Sequence, residues 1–336
     1  MRILRHTARR LLFLLPVLFG VTLIAFVLVR VLPGNPIDRM SSEYVPPARL
    51  EQLKREAGLK DPVYVQFGRY ISHLVHGDAG TSFVTGLPVA SELIRAFPAT
   101  FELTSYSMVL TVLIGIPLGI ISAVKQNSLA DHLTRAMVVG GFSMPIFWLG
   151  LVLIYVFFFK LNIVPAPLGR IPAFVQPPAH ITGLYTVDAL LTRNWTSLLA
   201  SFHVLILPVV TLAVSALAPV ARMVRAEMVA TLDSDFVRTA GALGLPRGRV
   251  LQDALRVVLL PIVTIIASVY GNLLSGSVLV ESIFSYPGMG LYAFNAITNN
   301  DYTAVQAYII LAAFMYASIY LVLDLVYCYL DPRVQI

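Results

Sequence analysis

The 336-residue sequence holds one cysteine, Cys328, and four lysines, Lys54, Lys60, Lys125 and Lys160. A single cysteine excludes a disulfide framework and a four-cysteine zinc site. No lysine follows a glycine, so there is no Gly-x4-Gly-Lys-Ser/Thr loop and no P-loop cradle for nucleotide phosphates. His-Glu-x-x-His and Gly-x-Ser-x-Gly are missing too. The histidines are scattered; His73 and His76, beside Asp78, read as a solvated pair and not as a metal site. Charge is scarce, at 12% of residues, where soluble domains carry about 25%. What fills the chain instead is apolar, 57% of it. A soluble fold of this length cannot hide that much apolar surface, and a disordered chain would not carry it. The class left is an integral membrane protein. The net charge of +6 sits on arginines that flank apolar runs and do not line one soluble face, which argues against a nucleic-acid partner.

A helix needs about 20 apolar residues to cross a bilayer. Six segments qualify: Leu11–Val29, Leu103–Val124, Ala136–Phe159, Leu198–Ala221, Val257–Val280 and Tyr302–Leu323. Lipid offers no partner to open backbone groups, so each is expected to be helical. The charged start with Arg2, Arg5, Arg9 and Arg10 resembles a signal peptide. The run is too long for one, however, and Val31-Leu-Pro-Gly-Asn-Pro36 lacks a small-x-small cleavage site. Four arginines precede span 1, Lys125 and Arg135 lie between spans 2 and 3, and six arginines lie between spans 4 and 5, against three basic residues after span 3 and none after span 5. The eight after span 1 sit in a segment of about 70 residues, too long for the rule to count. The positive-inside rule then places both termini in the cytoplasm. Two parts follow: residues 1–100, a first span with an external helical segment, and residues 101–336, a five-span core with a cytoplasmic segment at 222–256.

In the external segment, Pro47–Ala57 reads as a short helix stopped by Gly58. Asp61-Pro62 has the pattern of a cap followed by a first-turn proline, and Val63, Phe67, Tyr70, Ile71 and Leu74 then share one face. That face packs on the protein's own outer side or meets a partner. The second outer loop, 161–197, contains Pro165, Pro167, Pro172, Pro177 and Pro178 and is expected to be irregular. Within 222–256, Asp233, Ser234 and Asp235 offer caps for a short helix over Phe236–Leu243, ended by Gly244 and Pro246. Thr239, Ala240, Gly241 and Ala242 give that helix a surface of small residues, suited to a groove on another protein. It is equally readable as an ordinary basic loop. A second helix, Arg247–Arg256, leads into span 5, where Pro261 is a candidate kink. The span centres lack ionisable residues, so ion-coupling machinery is not visible. Asp324 reads as an interfacial anchor and Glu281 as the start of an outer loop. Small and neutral polar residues remain: Gly115 with Gly119, Gly140 with Gly141, and Gly271, Asn272, Ser275, Gly276 and Ser277. They serve tight packing, or in span 5 a wet path.

Seven short motifs occur in order. They are Leu32-Pro-Gly-Asn-Pro36, His76-Gly-Asp-Ala-Gly-Thr-Ser82, Phe97-Pro-Ala-Thr-Phe-Glu-Leu103, Ile114-Gly-Ile-Pro-Leu-Gly119 and Ser143-Met-Pro-Ile-Phe-Trp-Leu-Gly150, then Val280-Glu-Ser-Ile-Phe-Ser-Tyr-Pro-Gly-Met-Gly290 and Asp324-Leu-Val-Tyr with Asp331-Pro-Arg333. With them the chain resembles the first of the two permeases of the dipeptide/oligopeptide/nickel ABC importers, nearly end to end. The resemblance implies an all-α, six-span type I importer permease in the bacterial inner membrane. It also implies a second similar permease, two ATP-binding subunits that hold ATP and magnesium, and an extracytoplasmic binding protein. Phe236-Val-Arg-Thr-Ala-Gly-Ala-Leu-Gly244 resembles the family's coupling motif, whose short helix sits in a cleft of the ATP-binding subunit. Asp235, Phe236, Arg238, Thr239, Ala240, Gly241 and Gly244 would make that contact. The family pattern opens Glu-Ala-Ala, where this chain has Arg238-Thr239-Ala240. Asn272, Ser275 and Ser277 are the candidates for the substrate path. No catalytic residue and no cofactor is expected in the chain itself. The rival reading, a stand-alone secondary transporter, needs an ion site that the spans do not display.

Overall fold

In a computed structural model, residues 2–31 and 61–330 are described, and every element among them is helical save one isolated bridge between Thr81 and Pro88. The predicted helix over 47–57 and the motif at 32–36 lie outside the described residues. Helix α1 (Arg2–Val31) is followed by α2 (Val63–Val75), α3 (Val89–Val124), α4 (Leu129–Ser143) and α5 (Ile146–Leu153), which runs on as a π-helical turn to Lys160. Next come α6 (Tyr185–Leu191), α7 (Trp195–Leu232), α8 (Asp235–Ala242) and α9 (Arg247–Val257). The chain continues with α10 (Leu259–Gly276), α11 (Val278–Ile283), α12 (Met289–Thr298) and α13 (Tyr302–Leu330).

Four of these, α1, α3, α7 and α13, are long and apolar enough to cross a bilayer, and α9 with α10 makes a fifth if the pair, bent by 52°, is one span. The expected third span is not a single helix. Pro145 drives the residue before it out of the helical region, and Met144 is extended (φ −82°, ψ 129°), so α4 ends and α5 begins inside the apolar run. The bend in the fifth falls at Val258 (φ −85°, ψ 0°), upstream of Pro261. Pro261 has no N–H for the Val257 carbonyl and its ring crowds that carbonyl, which breaks the ladder one turn before the proline.

α7 has 38 residues, about 57 Å at 1.5 Å each, far beyond the hydrocarbon thickness. It extends eleven residues past the apolar run and carries the chain straight towards α8. Against it lies α3. A Cβ at Gly119 would stand 2.7 Å from Val224 and 2.8 Å from the Ala221 carbonyl, so only glycine allows this approach. The core around the pair contains Leu103, Leu212, Val220, Val224, Met228, Val258 and Ile262. α10 contributes Ile262, Val269 and Leu273 to this core, and α13 packs against α10. α1 lies along α13, and Arg10 Nε stands 3.1 Å from Asp324 Oδ2, which brings the start of α1 beside the end of α13. Thus Asp324 has a partner on another helix that the sequence reading did not foresee. α2 turns one face to α1, with Phe67 ring centres 5.0 Å from Phe26 and 5.7 Å from Phe19. Pro62, and not Asp61, is its cap position; Asp61 instead pairs with Arg69 at 2.8 Å.

Candidate functional site

α8 is an isolated knob. It spans Asp235–Ala242, one residue earlier at each end than the sequence predicts, and none of its residues is buried. Ser234 holds the cap position, but its hydroxyl donates to the Thr231 carbonyl (2.5 Å) and leaves the helix start uncapped by a side chain. The end follows the expected chemistry. Gly244 is left-handed (φ 75°), and the Leu245 N–H reaches back to the Ala240 carbonyl at 3.2 Å. Asp235 and Arg238 are exposed and 3.4 Å apart. Phe236, Thr239, Gly241 and Gly244 are exposed as well, and Ala240 is half-buried. Nothing lies within 4 Å of a Cβ added at Gly241 or Gly244. Six of the seven predicted residues are therefore exposed and the seventh, Ala240, is half-buried, with Thr239, Ala240 and Gly241 supplying the small side chains. α9 follows at once and is anchored by fully buried Ala254.

The three candidate path residues do not share one setting. Asn272 is exposed on α10, and Ser275 spends its hydroxyl on the Gly271 carbonyl (3.0 Å). Ser277 stands at the α10–α11 junction, buried, donating to Glu281 Oε1 at 2.6 Å. Glu281 itself is fully buried and does not lie in an outer loop. It also accepts from Thr100 Oγ1 (2.8 Å) and the Leu291 N–H (3.0 Å). Thr100 in turn accepts from the Met289 N–H at 2.8 Å. Two motifs quoted above, 97–103 and 280–290, are thus one packed unit.

A second buried carboxylate was likewise missed. Glu102 accepts from Arg170 Nη2 (2.6 Å), from the Thr186 N–H (2.7 Å) and hydroxyl (2.5 Å), and from Tyr286 OH (3.4 Å). Arg170 also lies over the Tyr185 ring at 3.8 Å. The Pro-rich segment is irregular over 161–184, as expected, but the rest of the expected loop 161–197 holds α6 and the start of α7, and Arg170 pins the segment to α3. Asp188 of α6 closes the same segment by accepting from the N–H groups of Ile181, Thr182 and Gly183. Burial opposes its ionisation, but Thr182 and these backbone donors outweigh burial and hold its carboxyl below the usual range. A depressed folded value gives stability above the ordinary carboxylate pKa that is lost as pH falls through the folded one. Melting curves from pH 7 down to pH 3 are expected to show a steeper acid decline for the natural chain than for Asp188→Asn; parallel curves would contradict this. His73 Nδ1 lies 3.0 Å from Asp78 Oδ2 and His76 Nδ1 2.7 Å from the Ser72 carbonyl, so each ring is engaged locally.

Residues 115–336 match the binding-protein-dependent transport system inner membrane component family, and residues 3–104 match its N-terminal companion. The chain belongs to this permease family. The "Probable D,D-dipeptide transport system permease protein DdpB" of Escherichia coli K12 is 43% identical over 95% of this chain and 94% of its own length. The "Dipeptide transport system permease protein DppB" of Alkalihalophilus pseudofirmus is 39% identical over 99% of both. The "Glutathione transport system permease protein GsiC" of E. coli O6:H1 is 35% identical over 99% of both. This permease is accordingly a multi-pass inner-membrane component of an ABC importer, a transport subunit and not an enzyme. It acts with a binding protein and an ATPase.

Proposed function

We propose that this permease carries dipeptides or closely related small peptides inward, as one of two similar permeases served by two ATP-binding subunits that hold the ATP and magnesium. The six apolar runs each cross the membrane, the third as the broken pair α4–α5, and both ends of the chain face the cytoplasm. The arginine-rich segments and the Arg10–Asp324 pair support that topology. The names of the relatives support the substrate class.

The observation that carries the mechanism is the exposed α8, joined to α7 by Asp233 and Ser234 and to the bent α9–α10 pair by a four-residue turn. In this reading Asp235, Phe236, Arg238, Thr239, Ala240, Gly241 and Gly244 sit in a cleft of the ATP-binding subunit. ATP closes the ATPase dimer, α8 moves with it, and α7 and α10 tilt to open the path outward to the docked binding protein. Hydrolysis restores the inward state. Small residues matter because the helix must approach its cleft closely.

Ala240→Trp and Gly244→Leu are each expected to abolish binding-protein-stimulated ATP hydrolysis in the assembled complex, with membrane insertion unchanged. Leucine at Gly244 must also adopt φ 75°, which branched and bulky side chains avoid. Survival of the stimulation in both variants would remove α8 from the coupling path. Uptake of labelled L,L-dipeptide, D,D-dipeptide and glutathione into proteoliposomes containing the whole importer tests the substrate class.

A further inference from the structure

The inner ends of α3, α4 and α7 meet at a buried carboxylate. Asp131, in the first turn of α4, is fully buried. It accepts from Arg225 of α7 through Nε (3.1 Å) and Nη2 (3.2 Å), from the Asn127 N–H (3.1 Å), and from Ser122 Oγ of α3. Arg225 Nε also donates to Ser122 Oγ at 3.0 Å. Arg135 Nη2 lies 3.2 Å from Asp131 Oδ2. Arg225 and Ser122 hold its carboxyl well below the usual range, so it is ionised throughout the physiological range.

Further into the membrane the two long helices touch almost backbone to backbone. A Cβ at Gly115 would meet Val220 at 3.3 Å, and one at Gly119 would meet Val224 at 2.7 Å. At this level each helix carries a proline, Pro117 in α3 and Pro219 in α7. Each proline deprives the carbonyl four residues earlier, on Leu113 and Ser215, of its helical donor. Helices bend at such points. The glycine contact therefore puts two weak points side by side, with the Asp131 joint on the cytoplasmic side of both.

We propose that Asp131 and Arg225 are positioning residues that bind the inner parts of α3, α4 and α7 into one stiff lever, which swings about the paired prolines when α8 is displaced. This rests on the coupling role given to α8 above. Arg225 precedes the end of α7 at Leu232 by seven residues, about 10 Å of axial rise, and α8 starts three residues later. Without the joint, a push at α8 bends α7 alone at Pro219 and leaves α3 and α4 behind.

The test uses the complete importer with its binding protein in nanodiscs, carrying Cys328→Ser and assembled with cysteine-free partner subunits so that introduced cysteines alone take spin labels. One pair of labels goes on Lys125 and Ala230, both exposed and both on the inner side of the prolines; another goes on Lys125 and Thr196, across them. Between nucleotide-free and ATP-trapped complexes the first distance is expected to hold within about 2 Å while the second changes by more. A larger change in the first pair overturns the lever.

Asp131→Asn and Arg225→Gln are expected to lower peptide uptake per ATP hydrolysed about tenfold while hydrolysis continues. Arg225→Lys, which keeps a cation at the joint, recovers most of that ratio. A purely structural role would instead lower uptake and hydrolysis together, in step with the amount of complex. If the charge-removing variants do not assemble, Ser122→Ala decides, with an expected fall of about threefold for the loss of its hydrogen bonds to Asp131 and Arg225. A wild-type ratio in the variants that assemble overturns the proposal. Failure of the coupling reading is separately visible, because stimulated hydrolysis would then survive Ala240→Trp and Gly244→Leu.

Discussion

Arg170→Met is expected to lower the melting temperature of the purified permease by about 10 °C, from a loss of about 3–5 kcal/mol. The side chains of Arg170 and Glu102 are 8% and 2% exposed, so removing the guanidinium leaves a carboxylate with no solvent to turn to. The hydroxyl and N–H of Thr186 and the hydroxyl of Tyr286 remain as donors, but none carries a charge. Deleting both members, in Arg170→Met with Glu102→Leu, is expected to recover only part of the loss. An apolar pair often replaces a buried ion pair at little cost. Here, however, three donors would lose their acceptor, each costing about 1–3 kcal/mol when buried unpaired. Heating in detergent followed by gel filtration reads the effect. An unchanged midpoint for Arg170→Met would mean that the pair is open to water. Limited proteolysis gives a second readout, since the segment around Arg170 should become cleavable once its tether to α3 is gone.

Gly290→Ala should be nearly as damaging, for a steric reason. A Cβ there would stand 2.7 Å from Val278 Cα, 2.9 Å from Val278 N and 2.9 Å from Glu281 Oε2. Two of these atoms are backbone and cannot rotate away. The third belongs to a carboxylate held by Thr100, Ser277 and the Leu291 N–H. Relief requires that α11 and α12 separate and that Glu281 give up a donor, a cost of about 3 kcal/mol. Gly20→Ala in α1 is the control, because nothing lies within 4 Å of its Cβ and alanine favours the helix by about 1 kcal/mol. Equal yields of monodisperse protein from the two variants would show that the α11–α12 contact is loose.

The sequence announces α1, α3, α7 and α13 because uninterrupted apolar length is a one-dimensional signal. α8 is legible for another local reason: Ser234 and the Gly244–Pro246 stop bracket it. The break at Met144 is harder to see, since residues on both sides are apolar and hydropathy does not register a change of direction. Glu102 carries no signal of its own in the sequence and Glu281 reads there as the start of a loop, because both stand at the edges of apolar runs, where a charge reads as the bilayer surface. Their partners are far off in sequence: Arg170 lies 68 residues from Glu102, and Thr100 lies 181 residues from Glu281. The motifs holding these residues were visible as words, while the contact between the words is three-dimensional. Asp131 shows both limits, with Ser122 nearby in the chain and Arg225 94 residues away.

The pairing of α1 with α13 bears on how the polypeptide is made. Val31 and Tyr302, which bound the two helices, are separated by some 270 positions, roughly half a minute of translation. Throughout that interval α1 stands in lipid, its Arg10 without the carboxylate it will meet. Ribosomes that stall before α13 would release a nascent chain whose opening helix has no mate, a feature that quality-control proteases of the membrane could read.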